Sequence, residues 1–372
     1  MNSGKTDPTH SDLNNTRLHP PVERNVAGTG SQLMRKQVLI TNEVPPEVFA
    51  PLAGIAEVIL GPGGGNLMPR KEVLRLGPTL DGIVNQAELR VDAELLNQCP
   101  RLRIVANVAA GTENLDGALM AQRGVWATNT PGVYCNATAD LTLTFLLCLA
   151  RRVLPADAFV RSGKWSTFQP GVWDGDLLEG RTLGIVGYGR IGQAVARRAR
   201  AFGMHILYHQ RSVTSDAGYR PLDKLLAESD YVSLHVPLTS ETHGLMNRTR
   251  FGQMKRGAYF INMARGKTMI EADLVEALAC GHLAGAALDV FEDEPRVHPR
   301  LLTLPNVVLT PHIGGGTNQS RRAARRLAVE NVARVLRGER PVTPVNQPVV
   351  PVHTAPPQRA ARTLHEQIHP PA

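Results

Sequence analysis

The stretch 182–211 constrains this chain more than any other. A short apolar run at 183–186 leads into Gly187, Gly189 and Gly192. A helical pattern follows at once, with Ile191, Val195, Ala199 and Phe202 on one face, and a second apolar strand is predicted at 205–208. Each glycine answers a physical need. Gly187 permits a tight turn, Gly189 lets the backbone approach a pyrophosphate, and Gly192 lets helix and strand pack closely. The N-terminus of that helix offers unpaired N–H groups and a partial positive charge to phosphate. A lone G-x-G-x-x-G is a weak signal. The strand before it, the helix after it and the second strand together predict a dinucleotide site.

The end of that second strand normally carries an acid, about 20 residues after the glycines, for the ribose 2′-hydroxyl of NAD. Here it reads His209-Gln210-Arg211-Ser212, without a carboxylate. Gln210, the Arg211 fork and the Ser212 hydroxyl would accept a 2′-phosphate that a carboxylate would repel. Arg211 as a plain solvated loop residue is the alternative. NADP(H) is expected over NAD(H), with NAD(H) still usable.

At 372 residues the chain is too long for one ordinary core. Short strands alternate with helical segments before and after the glycines, predicting parallel α/β architecture throughout. Strands are expected at 37–41, 82–84, 103–108, 126–128, 231–235, 258–262, 284–288 and 307–310. Helices are expected at 46–53, 92–98, 115–122, 138–152 and 319–336. Residues 1–34 are polar and aperiodic, and read as a disordered extension. The Pro-rich end, 349–372, reads as a flexible tail.

The net charge of +8 raises nucleic acid as a partner. The Arg clusters, however, lie in helical patterns without interleaved aromatics, so solvated faces facing anionic ligands fit better. Cys99, Cys135, Cys148 and Cys280 are too widely spaced for a zinc knuckle or disulfide framework, and no metal site is expected. The longest apolar run, 141–150, is too short for a bilayer span, and residues 1–34 lack the apolar core of a secretory signal. A reduced cytoplasm is expected, with no membrane partner.

Three predicted strands end in residues fit for chemistry. The first reads Asn262-Met263-Ala264-Arg265-Gly266, the second Asp289-Val290-Phe291-Glu292-Asp293-Glu294-Pro295, and the third Thr310-Pro311-His312-Ile313. Carboxyl ends of neighbouring strands in a doubly wound sheet converge on the cofactor crevice. Arg265 offers a planar fork for a carboxylate and can polarise an adjacent carbonyl. His312 can protonate the oxygen as hydride arrives, and a hydrogen-bonded Glu294 would favour its charged form. Taken singly, the three could be a strand-end ion pair, a solvated acid and a loop histidine.

With these blocks in view, the sequence resembles the D-isomer-specific 2-hydroxyacid dehydrogenase family. The shared features are the fingerprint with its trailing Phe202-Gly203-Met204, His235-Val236-Pro237-Leu238-Thr239, and the three strand-end blocks. The resemblance runs from about Val38 to Pro348 and omits both tails. It implies two Rossmann-like domains with doubly wound parallel sheets and a cleft between them. A flavodoxin-like substrate domain would comprise 35–136 and 317–348, and a dinucleotide domain 137–316.

The resemblance also implies Arg265, Glu294 and His312 as catalytic residues. It points to Arg190 and Ile191 at the pyrophosphate, Val236 and Pro237 beside the adenosine, Met263 and Asp289 near the nicotinamide, and Thr138 as a further cofactor contact. The 108–114 segment resembles the family's carboxylate cradle, in which Ala109, Ala110 and Gly111 would bind substrate alongside Arg265 and His312. A simple strand-to-helix turn fits those small residues equally well. A homodimer is implied, with the 138–152 helix contributing to its interface. One departure is Gly314-Gly315-Gly316, where the family often has Ser and Ala; extra mobility around His312 is expected there.

The activity implied is reduction of a small 2-oxo acid, such as glyoxylate or hydroxypyruvate, to the D-2-hydroxy acid. A 2-ketoaldonate reductase or a phosphite dehydrogenase would keep the same three residues. A dinucleotide-sensing, corepressor-like binding module is the alternative from a different class. Formate-oxidising relatives lack the Glu partner of the histidine, which argues against that activity.

Overall fold

A computed structural model describes residues 35–349. The extension expected at 1–34 and nearly all of the tail expected at 349–372 lie outside these residues.

The first half alternates strand and helix: β1 (Lys36–Ile40), α1 (Pro46–Phe49), β2 (Ala56–Leu60), α2 (Arg70–Leu76), β3 (Gly82–Asn85), α3 (Ala93–Gln98), β4 (Ile104–Asn107), α4 (Gly117–Gln122) and β5 (Trp126–Thr128). The five strands form one parallel sheet in the order β2-β1-β3-β4-β5. That is the flavodoxin-like order. Two helices follow, α5 (Cys135–Ala150) and α6 (Val153–Arg161).

The second half runs β6 (Thr182–Val186), α7 (Arg190–Ala201), β7 (His205–His209), α8 (Leu222–Glu228), β8 (Tyr231–Leu234), α9 (Arg248–Gln253), β9 (Tyr259–Asn262), α10 (Glu271–Ala279), β10 (Gly285–Leu288) and β11 (Val307–Leu309). Its six strands form a second parallel sheet, β11-β10-β9-β8-β6-β7. The chain order reverses at β6, between β7 and β8, so the crevice at the carboxyl ends of β6 and β8 is the place where such sheets bind ligands. A last helix, α11 (Asn318–Leu336), returns to pack on β3, β4 and α1 of the first sheet.

Both sheets are covered on both faces, and their strands read as near-continuous apolar runs for that reason. In β1, Val38 and Ile40 join α11 residues Val329 and Val332, while Leu39 packs oppositely with Val73 and Leu95. In the second sheet, Leu183, Ile185 and Ile261 face α5 and α7, and Val186, Leu234 and Phe260 face the α9–α10 side. Each such buried side chain contributes about 1.5–3 kcal/mol, against about 0–1 kcal/mol for an exposed ion pair. These four apolar layers therefore hold the fold.

Some expectations need correction. The helix expected at 46–53 is one α-turn followed by a 3₁₀ turn, Ala50–Leu52. Phe202 does not line the buried face of α7; it follows the helix and is 44% exposed. The apolar helix expected at 138–152 starts three residues earlier and stops at Ala150, with Arg152 in a left-handed conformation before α6.

Candidate active site

The glycine turn sits at the switch point. Gly187 has φ +98°, and a Cβ there would lie 2.7 Å from the His235 carbonyl at the end of β8. A Cβ on Gly192 would lie 2.3 Å from the Gly187 carbonyl oxygen, so the start of α7 can pack onto the turn only without one. Gly189, the residue before the helix, has nothing within 4 Å of its missing Cβ. That open space, at the N-terminus of a 12-residue helix, is what a pyrophosphate needs. Arg190 is exposed beside Gly132, and Ile191 is half-buried against the α5–α7 layer.

Other predicted contacts gather around this turn. Val236 lies against Gly187, and Pro237 follows it, exposed. On the opposite side, β7 ends at His209, whose carbonyl accepts the Gly187 N–H at 2.9 Å. Gln210, Arg211 and Ser212 come next. The Gln210 side chain donates to the Ser212 carbonyl at 3.1 Å, and Arg211 and Ser212 are exposed. Among the described residues Arg211 has no ion-pair partner within bonding distance. Its charge nonetheless helps to hold the Glu241 carboxyl below its usual range, after that group's hydrogen bonds to Thr239 and to its own backbone.

The three catalytic candidates converge at the carboxyl edge of the same sheet. His312, just beyond β11, donates or accepts through Nδ1 at 2.8 Å from Glu294 Oε2. The other Glu294 oxygen accepts the Phe291 N–H at 3.0 Å. Hydrogen bonding to Glu294 raises the His312 pKa above the ordinary imidazole range, outweighing burial. Burial alone would raise Glu294, but the bond to His312 holds it below the usual carboxylate range. Arg265 is close enough for its charge to oppose protonation of His312 and favour the ionised Glu294. Beside the His–Glu pair lies a largely apolar cavity of about 290 Å³, walled by Phe291, Val297, Leu302 and Leu309.

Local structure explains why these residues meet. Asn262 is fully buried at the end of β9, where its side chain accepts from Ala264 N and donates to the Arg265 carbonyl. It thereby shapes the turn that presents Arg265. At Gly266 a Cβ would fall 1.7 Å from the Phe291 oxygen, so only glycine lets this turn lie flat on the Glu294 segment. That segment is stapled in turn: Glu271 accepts from Glu292 N at 2.6 Å, and Glu292 accepts from Glu271 N at 2.8 Å.

The glycines after His312 tighten their loop, contrary to the mobility expected of them. Asp289 is 2% exposed and accepts from Thr310 Oγ1 (2.6 Å), Ile313 N (2.7 Å) and Gly314 N (2.7 Å). A Cβ on Gly314 would meet that carboxylate at 2.9 Å and Met263 at 3.1 Å; one on Gly315 would meet the Tyr134 ring at 2.5 Å. Close approach is the reason for glycine here. His312 itself has φ +54°, a conformation uncommon outside glycine and often found at functional sites. Asp289 thus acts within this structure as the anchor of the His312 loop. Met263 and Thr138 lie buried behind it, with Thr138 Cγ2 3.7 Å from the Gly314 Cβ position.

On the first sheet, the segment after β4 turns its carbonyls into the protein. The carbonyls of Ala109, Ala110 and Gly111 accept from Thr130 N (2.8 Å), Asn129 Nδ2 (2.7 Å) and Asn107 Nδ2 (3.2 Å). Among the described residues, none of their N–H groups donates within the protein. Carbonyls turned inward and free N–H groups outward suit a carboxylate. An asparagine network fixes the loop: Asn107 donates to Asn114 at 2.7 Å, Asn85 to Asn107 at 3.2 Å, and Asn114 to the Leu89 carbonyl at 2.9 Å. Sequence reading missed these asparagines, although three of them at strand ends and in one loop were a usable signal. It also missed Glu113, which accepts from Arg265 Nε at 3.1 Å across the cleft.

Among the described residues no cluster of metal-ligating side chains occurs, and no helix is long and apolar enough to cross a membrane.

Comparison with known proteins gives the family. The profile of the D-isomer specific 2-hydroxyacid dehydrogenase NAD binding domain matches residues 143–314. A glyoxylate reductase from Pyrococcus furiosus is 44% identical over 86% of this chain and 98% of its own length. A solved structure from Thermus thermophilus superposes with a TM-score of 0.79 at 43% identity, covering 83% of this chain and 99% of that one. The NADPH-dependent glyoxylate/hydroxypyruvate reductase of Sinorhizobium meliloti, solved with NADP and malonate, superposes at 0.72 and 33% identity over 84% and 97%. The chain belongs to the D-isomer specific 2-hydroxyacid dehydrogenase family.

Proposed function

We propose that this protein reduces a small 2-oxo acid, of the glyoxylate or hydroxypyruvate class, to its D-2-hydroxy acid, with NADPH preferred. The observation that carries the reading is the 2.8 Å His312–Glu294 bond, set beside Arg265 on the sheet edge that also holds the glycine turn. The free N–H groups of 109–111 and the Arg265 fork bind the substrate carboxylate, and Arg265 polarises the neighbouring carbonyl. The nicotinamide dinucleotide, when bound, supplies hydride to the carbonyl carbon. His312, with Nδ1 committed to Glu294, gives the Nε2 proton to the carbonyl oxygen, so the carbonyl becomes an alcohol. Residues 137–316 form the cofactor-binding part, and 35–136 with 317–348 the substrate part.

A panel of 2-oxo acids with each cofactor tests this reading. Turnover of glyoxylate or hydroxypyruvate with a D-configured product, where the product is chiral, is expected. Absence of turnover with every acid would move the site toward dinucleotide sensing.

Arg265→Lys keeps the charge but loses the bidentate fork, so kcat/KM should fall about tenfold or more. An unchanged kcat/KM would leave the 109–111 backbone as sole carboxylate holder. Glu294→Gln removes the charge that raises His312. Reduction requires protonated His312, so activity is present below its pKa and lost above it. The alkaline limb of kcat/KM should therefore move to lower pH in Glu294→Gln; coincident limbs would contradict the pairing.

Homodimerisation is part of the proposal, with the 138–152 helix and the segment after it contributing to the interface. α5 is mostly buried against α7 and the second sheet. The exposed apolar surface lies beyond it, at Val153, Leu154, Val160, Trp165 and Phe168. Sedimentation should give a dimer that Val160→Asp weakens; a monomeric unmodified protein would contradict it.

A further inference from the structure

We infer that Glu113 is a positioning residue for Arg265, orienting the guanidinium toward the carboxylate cradle; this rests on the function proposed above. The two residues stand 152 positions apart, on the loop after β4 and the turn after β9, and so on different sheets. Glu113 takes Arg265 Nε at 3.1 Å, and the Ala264 carbonyl takes Nη1 at 2.8 Å. Two of the three guanidinium nitrogens are thus held by the protein. The third, Nη2, points at the cradle: a Cβ on Gly111 would lie 2.4 Å from it and 2.4 Å from Glu113 Oε2. Gly111 therefore does more than let an anion approach its backbone. Its missing side chain is the space in which the Arg265–Glu113 pair sits against the cradle. The loop carrying Glu113 is fixed by its neighbour Asn114 within the asparagine network.

The pair is 34% and 44% exposed, so its contribution to stability is small. Its effect is geometric, with an electrostatic counterpart: Glu113 keeps a negative charge beside the place where a carboxylate binds. The two contributions separate by substitution. Glu113→Ala loses both the acceptor and the charge. Glu113→Gln keeps an acceptor for Nε and loses only the charge.

The test is steady-state reduction of glyoxylate by the full chain, with kcat and KM read separately for the unmodified protein, Glu113→Ala, Glu113→Gln, Arg265→Lys, and Arg265→Lys combined with Glu113→Ala. Glu113→Ala should lower kcat/KM about tenfold, with kcat sharing the loss, because misplaced binding groups reduce productive encounters. Glu113→Gln should recover most of the lost kcat and show a lower KM than Glu113→Ala. In the Arg265→Lys background, Glu113→Ala should cost much less than it does alone. Equal losses from Glu113→Ala in both backgrounds, or no rescue by Gln, would overturn the inference while leaving the reductase reading intact. Binding of oxamate, a non-reacting 2-oxo acid analogue, to the cofactor-loaded protein gives a second readout. It should weaken in Glu113→Ala and tighten in Glu113→Gln; identical binding by all three proteins would also overturn the inference. No turnover by the unmodified protein would overturn both this inference and the function beneath it.

Discussion

His312→Ala is expected to lower kcat for 2-oxo acid reduction about 100- to 10,000-fold, the range of a positioned general acid. KM should change little if, as proposed, Arg265 and the 109–111 backbone hold the carboxylate. The size of the loss follows from how firmly the imidazole is placed. Its backbone is held in the left-handed region by a loop whose two following N–H groups are bonded to buried Asp289. Its Nδ1 is held by Glu294, and that bond raises its pKa, so the donating form persists to higher pH than for a free histidine. Parallel measurement of kcat and KM in the variant checks this. Near-full turnover would remove His312 from the chemistry.

Gln210→Asp combined with Arg211→Ala is expected to move relative kcat/KM from NADPH toward NADH by roughly 10- to 150-fold. That is the equivalent of the about 1.5–3 kcal/mol for hydrogen bonds to a charged group. Both residues follow β7, whose last carbonyl is bonded to the first glycine of the turn, so they lie where the ribose of a cofactor held there would emerge. The new aspartate would repel a 2′-phosphate and accept from a 2′-hydroxyl. The unmodified protein should already discriminate by about tenfold. Equal use of both cofactors would mean that Arg211 points only to solvent.

Where local chemistry decided structure, the sequence was a good guide. Gly187 and Gly192 stand where a Cβ would collide, and Gly189 leaves open space at the helix N-terminus, all legible because the turn's demands lie within six residues. Arg265, Glu294 and His312 were legible because parallel strands bring their carboxyl ends together whatever the loops do. What escaped depends on partners far along the chain. Gly314 and Gly315 read as loosening elements until Asp289 and Tyr134 were seen against them. Glu113 had no assigned role within 108–114, because its partner Arg265 lies 152 positions away. Strand β2 escaped because it is a half-exposed edge carrying Glu57.

The most direct test of the account is the initial rate of NADPH oxidation by the purified full chain with glyoxylate, with hydride transfer confirmed by identifying glycolate as product. Saturable turnover is expected in the unmodified protein, faster with NADPH than with NADH and nearly abolished by His312→Ala. No glyoxylate-dependent oxidation of either cofactor, with hydroxypyruvate equally inert, would contradict it.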